Sequence, residues 1–232
     1  MSTVESASFT GFGSGALDFL AGLEADNSKT YFDDHRAVYD DQVRRPLQLL
    51  CLAVGERLAD SVAPGIEYEP KVGRSMFRIN RDLRFSKDKT PYHPHLDLAW
   101  WQGDHPKTSP AFIMRIRHDE LLTGVGVFAF GGDALDRYRA AVVSEAGPEL
   151  ERIVDDLVES VPGASLSEPG RKRVPRGFDA DHPRARYLLH DGLHLSGTEP
   201  TPRSITTEAF ADHVAERLAP YAELHAWLVA NT

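Results

Sequence analysis

The sequence predicts an α+β fold, in which N- and C-terminal helices pack on one face of an antiparallel β-sheet of four or more strands. Apolar residues recur every three or four positions in the first and last thirds of the chain, as in helices that bury one side. Between residues 72 and 130 they alternate with polar residues, as in strands. No repeat or linker divides the chain, so we expect a single domain over residues 1–232, helical over 14–60, with the sheet at 72–130 and mainly helical structure at 133–229.

The N-terminal region is expected to form three helices. Asn27 and Ser28 mark the start of the second, because these residue types cap helix N-termini. A longer helix should run from about residue 35 to 60, and Pro46 should kink or divide it, since proline lacks the N–H that a helix interior needs. The apolar stripe of this long helix is formed by Tyr39, Val43, Leu47, Leu50, Val54 and Leu58.

Four strand-like runs are expected in the central region, with a tight connection at 118–120 between the last two. Their core-facing residues are Ser75, Phe77 and Ile79; Leu96, Leu98 and Trp100; Phe112, Met114 and Ile116; and Val125, Val127 and Ala129. The opposite face would collect Arg74, Arg78, His95, Asp97, Arg115 and Arg117. Gly124 and Gly126 leave that face without side chains locally, as at a site of close approach. The pattern predicts a shallow cationic depression there.

The C-terminal part is expected to be mainly helical. One helix should follow the sheet as far as about residue 146, and Pro148 suits the first turn of another that ends near Ser160. A short strand is expected between Tyr187 and Leu195, followed by one long helix from about residue 207 to 229. These helices would join the N-terminal ones on the apolar face of the sheet.

The charges of the chain are unevenly distributed. The net charge of −9 argues against broad attraction to nucleic acid or to an anionic membrane, so neither is an expected partner. Residues 71–89, however, hold seven Lys or Arg and two Asp residues, a local charge of +5, whereas the rest of the chain carries −14. One short segment therefore opposes the sign of everything around it.

The single cysteine and the N-terminus give expectations about the protein's compartment. Cys51 lies in an apolar run, so no intramolecular disulfide can form and the thiol should pack as a small hydrophobe. The first 25 residues contain neither Lys nor Arg and no long apolar stretch, so we expect no signal peptide or membrane anchor and a cytoplasmic protein. The sequence identifies neither a cofactor nor an oligomeric state.

Residues 74–92, hereafter the cationic segment, read Arg-Ser-Met-Phe-Arg-Ile-Asn-Arg-Asp-Leu-Arg-Phe-Ser-Lys-Asp-Lys-Thr-Pro-Tyr. This run closely resembles the core motif of an uncharacterised family, domain of unknown function 2461. Further stretches resemble other elements of that family, at residues 27–32, 124–128 and 175–183. Tyr31 stands where tryptophan is common in the family, and His93 where lysine or asparagine is usual. The resemblance implies one fold over nearly the whole chain, but it brings no reaction, cofactor or catalytic residue with it.

The cationic segment predicts a binding site for an anionic small molecule, either phosphorylated or carboxylated. Guanidinium groups bind such anions through paired donors, whereas ammonium groups act as point charges. Arginines would coordinate the anion, lysines would attract it, and Asp82 would orient its neighbours. The expected ligand-binding residues are Arg74, Arg78, Arg81, Asp82, Arg84, Lys87, Lys89 and Tyr92. The alternative is a structural ion-pair network, in which carboxylates of the chain neutralise these cations.

Two other functions would use the same region. A nucleic-acid or acidic-protein surface would combine the cations with the stacking residues Phe85, Tyr92 and Trp101. A metal-dependent enzyme would use three possible ligands at steps of two along a strand, His93, His95 and Asp97. The sequence leaves open whether the protein is an enzyme, and it identifies no catalytic residue.

Overall fold

A five-stranded antiparallel sheet lies at the centre of the fold in the computed structural model, which describes residues 7–84 and 86–232. The strands are β1 (Leu96–Trp101), β2 (Ala111–Ile116), β3 (Glu120–Val127), β4 (Ser165–Leu166) and β5 (Leu193–Pro200). They are ordered β1-β2-β3-β5-β4, and each neighbouring pair is antiparallel. Helices cover one face of this sheet, which confirms the predicted single α+β domain.

Side chains alternate along β1, β2 and β3 as the sequence predicts. Leu98, Met114 and Val125 are at most 1% exposed and belong to the core that the helices cover. Asp97 and Arg115, which lie directly opposite each other on β1 and β2, point to the other side of the sheet, hereafter the second face. Three of the four predicted central strands are therefore confirmed, and their two faces differ in polarity.

The N-terminal helices are α1 (Ser14–Ala25), α2 (Lys29–Asp34), α3 (Arg36–Val38) and α4 (Arg45–Ser61), with a π-helical turn at Tyr39–Arg44. Ser28 caps α2, because its hydroxyl accepts a hydrogen bond from the Tyr31 amide at 3.1 Å. Pro46 lies in the first turn of α4, where its missing N–H is tolerated. The wide turn directly before it divides the predicted long helix, as expected from the proline.

The later helices are α5 (Gly132–Val143), α6 (Gly147–Ser160), α7 (Ala185–Leu188), α8 (Ala209–Leu218) and α9 (Ala222–Asn231). The single helix predicted at 207–229 is wrong: a 3-10 turn containing Pro220 separates α8 from α9, because proline cannot continue the α-helical hydrogen bonds. The strand predicted between Tyr187 and Leu195 is also partly wrong. Tyr187 is helical, and β5 begins only at Leu193.

The strand predicted around residues 74–79 is wrong as a regular strand. The segment follows β1 through only a few backbone bonds, among them Phe77 N to the Asp97 carbonyl at 3.2 Å. Met76 and Ile79, three positions apart, are both buried in the main core, whereas Phe77 packs on the second face. The backbone therefore bends between them, and this bend breaks the period of two on which the prediction depends.

Two further side chains differ from the predicted faces. Ala129, expected in the core, lies beyond the end of β3 and is exposed. Arg117, expected on the second face, follows the end of β2 and pairs with Glu24 of α1 at 2.6 Å. Both differences arise because strand alternation stops where the strand ends.

Apolar clusters lie on both faces of the sheet. In the larger one, Trp100 is fully buried and its Nε1 donates a hydrogen bond to the carbonyl of Cys51 at 2.9 Å. Cys51 is itself fully buried, as expected from its apolar run. The smaller cluster covers part of the second face and contains Ala99, Trp101 and Ala111, with Phe77 and Ile113 packed against it. None of the described helices has the length and apolarity needed to cross a membrane.

Candidate functional site

A cleft between the cationic segment and the loop that contains Lys107 encloses about 1410 Å³ of space open to solvent. Five cations, two carboxylates and two histidines line it: Arg74, Arg78, Arg81, Arg84, Lys107, Asp82, Asp97, His93 and His105. Its positive excess contrasts with the net charge of −9 of the chain. The field in this cleft therefore favours an anion over a cation.

Within the cationic segment, the backbone at Arg81 and the backbone at Pro91 lie side by side. The Arg81 amide donates to the Pro91 carbonyl at 2.8 Å, which pairs the outgoing and returning backbone. Asn27 closes the loop from outside: its side-chain amide donates to the Tyr92 carbonyl at 3.0 Å, and its oxygen accepts from the Tyr92 N–H at 2.9 Å. Asn27 therefore positions this part of the cationic segment, and the cap of α2 is made by Ser28 instead.

Three arginines of the cationic segment pair with carboxylates of the chain. The pairs are Arg74 with Glu69 at 2.8 Å, Arg81 with Asp88 at 2.5 Å and Arg84 with Asp82 at 2.7 Å. Arg74 also lies over the ring of Trp101, 4.8 Å from its centre. Lys89 donates to the carbonyl of Leu83 at 2.9 Å. Part of the cluster therefore forms the internal ion-pair network that the sequence left as the alternative.

Two carboxylates of this network, Asp82 and Asp88, are held in the ionised form. A hydrogen bond from Arg84 is the main cause that lowers the pKa of Asp82. For Asp88 the backbone N–H of Thr90 is the main cause, Arg81 adds to it, and the pKa falls to about 2. Both carboxylates therefore stay charged at neutral pH and keep neutralising their arginines.

Arg78 and Lys107, unlike the paired arginines, have no carboxylate partner among the described residues. Within the described residues, neither side chain makes a hydrogen bond or an ion pair with a carboxylate, and both line the cleft. Arg78 is exposed and acts on Asp82 only through its charge. The Lys107 ammonium lies 6.0 Å from the ring centre of Phe77. The expected ligand residue Lys87 also has no such partner in the described chain, but it does not line the cleft.

The carboxylate of Asp97 is engaged by its neighbours. Arg115 donates to it from Nε at 2.7 Å and from Nη2 at 3.0 Å, and His95 Nε2 lies 3.4 Å from its second oxygen. Burial opposes ionisation, but the hydrogen bonds from His95 and Arg115 outweigh it and lower the pKa of Asp97. The ring of His93 lies 4.9 Å from that of His95, and burial is the main cause that lowers the pKa of His93. In the part of the chain that the structure describes, no three His, Cys, Asp or Glu side chains are arranged to hold a metal ion.

The aromatic residues expected to stack on a ligand are placed differently. Tyr92 is only 6% exposed and stacks on Phe32, with ring centres 4.5 Å apart. Trp101 is fully buried beneath Arg74. Phe85 lies outside the described residues. The rings of Tyr92 and Trp101 therefore pack in apolar clusters, and Tyr92, an expected ligand residue, does not line the cleft.

A second pocket, of about 450 Å³, lies on the second face and shares Phe77 and Asp97 with the cleft; hereafter it is the sheet-face pocket. Its lining is mostly apolar, with a few polar side chains. The lining side chains on this face are Phe77, Ile113, Leu122 and Phe128, together with Asp97, Arg115, His194 and Ser196. The pocket therefore has the composition of a small-molecule site.

The two glycines of β3 make room for two of these polar side chains. Gly124 lies opposite Ser196 and Gly126 opposite His194 on β5. A Cβ added at Gly124 would lie 2.6 Å from Cβ of Ser196, and one at Gly126 would lie 2.4 Å from Cβ of His194. The close approach predicted at these glycines is thus made by the neighbouring strand.

Sequence reasoning missed Lys107, Phe128 and Ser196. Phe128 follows the glycine-rich strand directly, so a signal for it existed, because a large apolar residue beside bare backbone often lines a pocket. Lys107 lies in a polar loop and carries no local signal. It reaches the cleft only through the tertiary fold.

A comparison with family models finds a match over residues 15–227 to the model described as "Conserved hypothetical protein (DUF2461)". No curated protein matches the chain. The matched region includes the whole cationic segment and every residue that lines the two pockets.

Proposed function

The chain belongs to the DUF2461 family, and we propose that it binds a small phosphorylated or carboxylated molecule in the cleft, at Arg78 and Lys107. The charge of the cleft supports an anionic ligand, and no reaction is assigned to the site.

One observation carries this proposal. Arg78 and Lys107 line the same cleft, and neither has a carboxylate partner among the described residues. Unneutralised cations that share a concave surface repel each other, so an anion between them would remove an unfavourable interaction as well as add a favourable one. An arginine fork and an ammonium in the same cleft also match the oxygens of a phosphate or a carboxylate.

The paired arginines have a supporting role in this proposal. Arg74, Arg81 and Arg84 are held by Glu69, Asp88 and Asp82. These carboxylates partly neutralise the three arginines, and the ion pairs stabilise the side of the cleft that contains Arg78. We therefore expect Arg78 to contribute more to ligand affinity than any of these three arginines.

A nucleic-acid surface is less consistent with the same cleft. Single-stranded nucleic acids bind through aromatic stacking as well as through phosphate contacts. Tyr92 and Trp101, two of the three aromatics expected to stack, are buried. The overall charge of −9 would also repel a long polyanion beyond the cleft.

The experiment is a binding titration by calorimetry at low salt, with inorganic phosphate and acetate as the first probes. Arg78→Ala should weaken binding of the active probe about tenfold, because a charged hydrogen bond contributes about 1.5 kcal/mol or more. Arg173→Ala is the matched control, because Arg173 is also exposed and lies outside the lining of the cleft. The proposal is refuted if both variants lose the same affinity. It is also refuted if the wild-type protein binds neither phosphate nor acetate, nor phenyl phosphate or benzoate.

A further inference from the structure

The cleft and the sheet-face pocket meet at two shared residues. Phe77 and Asp97 line both cavities, so the pocket begins where the cationic wall ends. The Lys107 ammonium lies above the Phe77 ring on the cleft side, and the Phe128 ring lies 5.8 Å from Phe77 on the pocket side. A ligand held at Lys107 is therefore close to the entrance of an apolar cavity.

The sheet-face pocket differs chemically from the cleft. The side chains of Phe77, Ile113, Leu122 and Phe128 supply most of its wall. Its one cation, Arg115, is already paired with the carboxylate of Asp97 through two hydrogen bonds. The pocket has no charge left for a second anion, so it suits an uncharged and largely apolar group.

Phe128 contributes exposed apolar surface to this pocket. It is one of the four large hydrophobic side chains that the described chain exposes, with 43% of its surface accessible. It lines the sheet-face pocket together with other apolar residues. A compact ring in this cavity would cover apolar surface that water now contacts.

Two polar side chains limit what the apolar group can be. The Ser196 hydroxyl makes no side-chain hydrogen bond within the described residues, although it lines the pocket. The Nδ1 atom of His194 is buried without a partner, and burial followed by the charge of Arg115 lowers the pKa of this histidine. A neutral imidazole and a hydroxyl suit a ring with one neutral polar substituent better than a second charge.

We propose that the cleft and the sheet-face pocket form one bipartite site, whose ligand is a small organic anion with a compact aromatic or hydrocarbon body. The phosphate or carboxylate lies at Arg78 and Lys107, and the apolar body lies between Phe77 and Phe128. This inference rests on the proposed function and adds the substrate class to it. The site would thus select aryl or short-chain phosphates and carboxylates over inorganic anions.

The test compares two matched pairs of probes by calorimetry: inorganic phosphate with phenyl phosphate, and acetate with benzoate. In at least one pair the aromatic member should bind about tenfold tighter, because its ring is removed from water in the pocket. Phe128→Ala should abolish most of that difference and leave the inorganic or aliphatic probe unchanged. Val158→Ala, which truncates an equally exposed apolar side chain on α6, should change neither affinity.

The outcomes separate this inference from the proposed function. If simple and aromatic anions bind equally and both need Arg78, the anion site stands and the apolar subsite is refuted. The subsite is also refuted if Phe128→Ala weakens both members of a pair to the same degree. If neither pair binds in a manner that depends on Arg78, the anion site fails and the bipartite site fails with it.

Discussion

Asp97 on β1 and Arg115 on β2 lie directly opposite each other, and the guanidinium of Arg115 bridges both oxygens of the carboxylate at 2.7 and 3.0 Å. The Asp97 side chain is 21% exposed, so its charge is partly removed from water. The pair stands on the second face, between the cleft and the sheet-face pocket. Its geometry therefore affects both stability and the shape of the site.

Removal of Arg115 should destabilise the protein by leaving a poorly hydrated charge on Asp97. We expect Arg115→Met to lower the free energy of unfolding by about 1–2 kcal/mol at pH 7, less than for a fully buried pair because the arginine is 41% exposed. Adding Asp97→Asn should recover part of this loss, since it removes the unpaired charge. Urea denaturation measures all three variants, and Arg36→Met, in an exposed pair with Asp33, is the control with a small effect.

The same pair gives a prediction for acid pH. The pKa of Asp97 is lowered in the folded protein, so its stabilising contribution is complete above the unfolded pKa of about 3.9 and is lost as the pH falls through the lower folded value. Asp97→Asn should flatten the stability profile below about pH 4. A variant as acid-sensitive as the wild type would contradict this assignment.

His225 should make stability depend on pH in a higher range. It is 2% exposed and stacks on Phe112 at 4.6 Å, and burial lowers its pKa to about 4. Between about pH 6.5 and 4 this histidine is protonated in the unfolded chain but stays neutral in the folded protein. The free energy of unfolding therefore falls as the pH is lowered, by about 3 kcal/mol at most. His225→Gln should show a shallower slope in urea denaturation between pH 7 and 4. Parallel slopes would exclude His225 as the source.

Cys51 should be unreactive in the native protein. It is fully buried, and burial raises the pKa of its thiol to about 12, although a hydrogen bond with Ser75 opposes the shift. Thiolates rather than thiols react with disulfide reagents, so labelling should require unfolding and should follow the urea transition. Ser160→Cys supplies the matched control, because this exposed position should label rapidly without urea. Fast labelling of Cys51 in native wild-type protein would contradict its placement.

Gly124 should be intolerant of a side chain. A Cβ there would lie 2.4 Å from the Leu195 carbonyl oxygen and 2.6 Å from Cβ of Ser196, so β5 would have to move. We expect Gly124→Ala to lower the free energy of unfolding by about 2–3 kcal/mol. Gly132→Ala meets no atom within 4 Å at the start of α5 and should be neutral or slightly stabilising. Thermal and urea unfolding of the two variants compare these sites directly.

The three long strands could be predicted from sequence because each has two chemically different sides. In β1, Leu98 and Trp100 meet helices while Asp97 meets Arg115, so burial and alternation agree. Around Met76 and Ile79, burial does not follow the alternation of a strand. A bend brings both residues into the core, and a rule with a fixed period cannot detect a bend.

The charge of the sequence locates the candidate site, but it does not show what each cation does there. Seven cations within residues 71–89 mark the region, yet the sequence cannot show which of them are neutralised. Glu69, the partner of Arg74, lies outside the cationic segment, and Lys107 enters the cleft from a distant loop. Such choices are made by tertiary contacts, which local patterns do not encode.

The two hydrogen bonds between Asn27 and Tyr92 join positions 65 residues apart. The segment that carries the cations is therefore closed by Asn27, which lies between α1 and α2. A synthetic peptide of residues 74–92 would lack this contact and should be unstructured in water. The stretch of sequence that most resembles the family's motif thus depends for its shape on a residue far outside it.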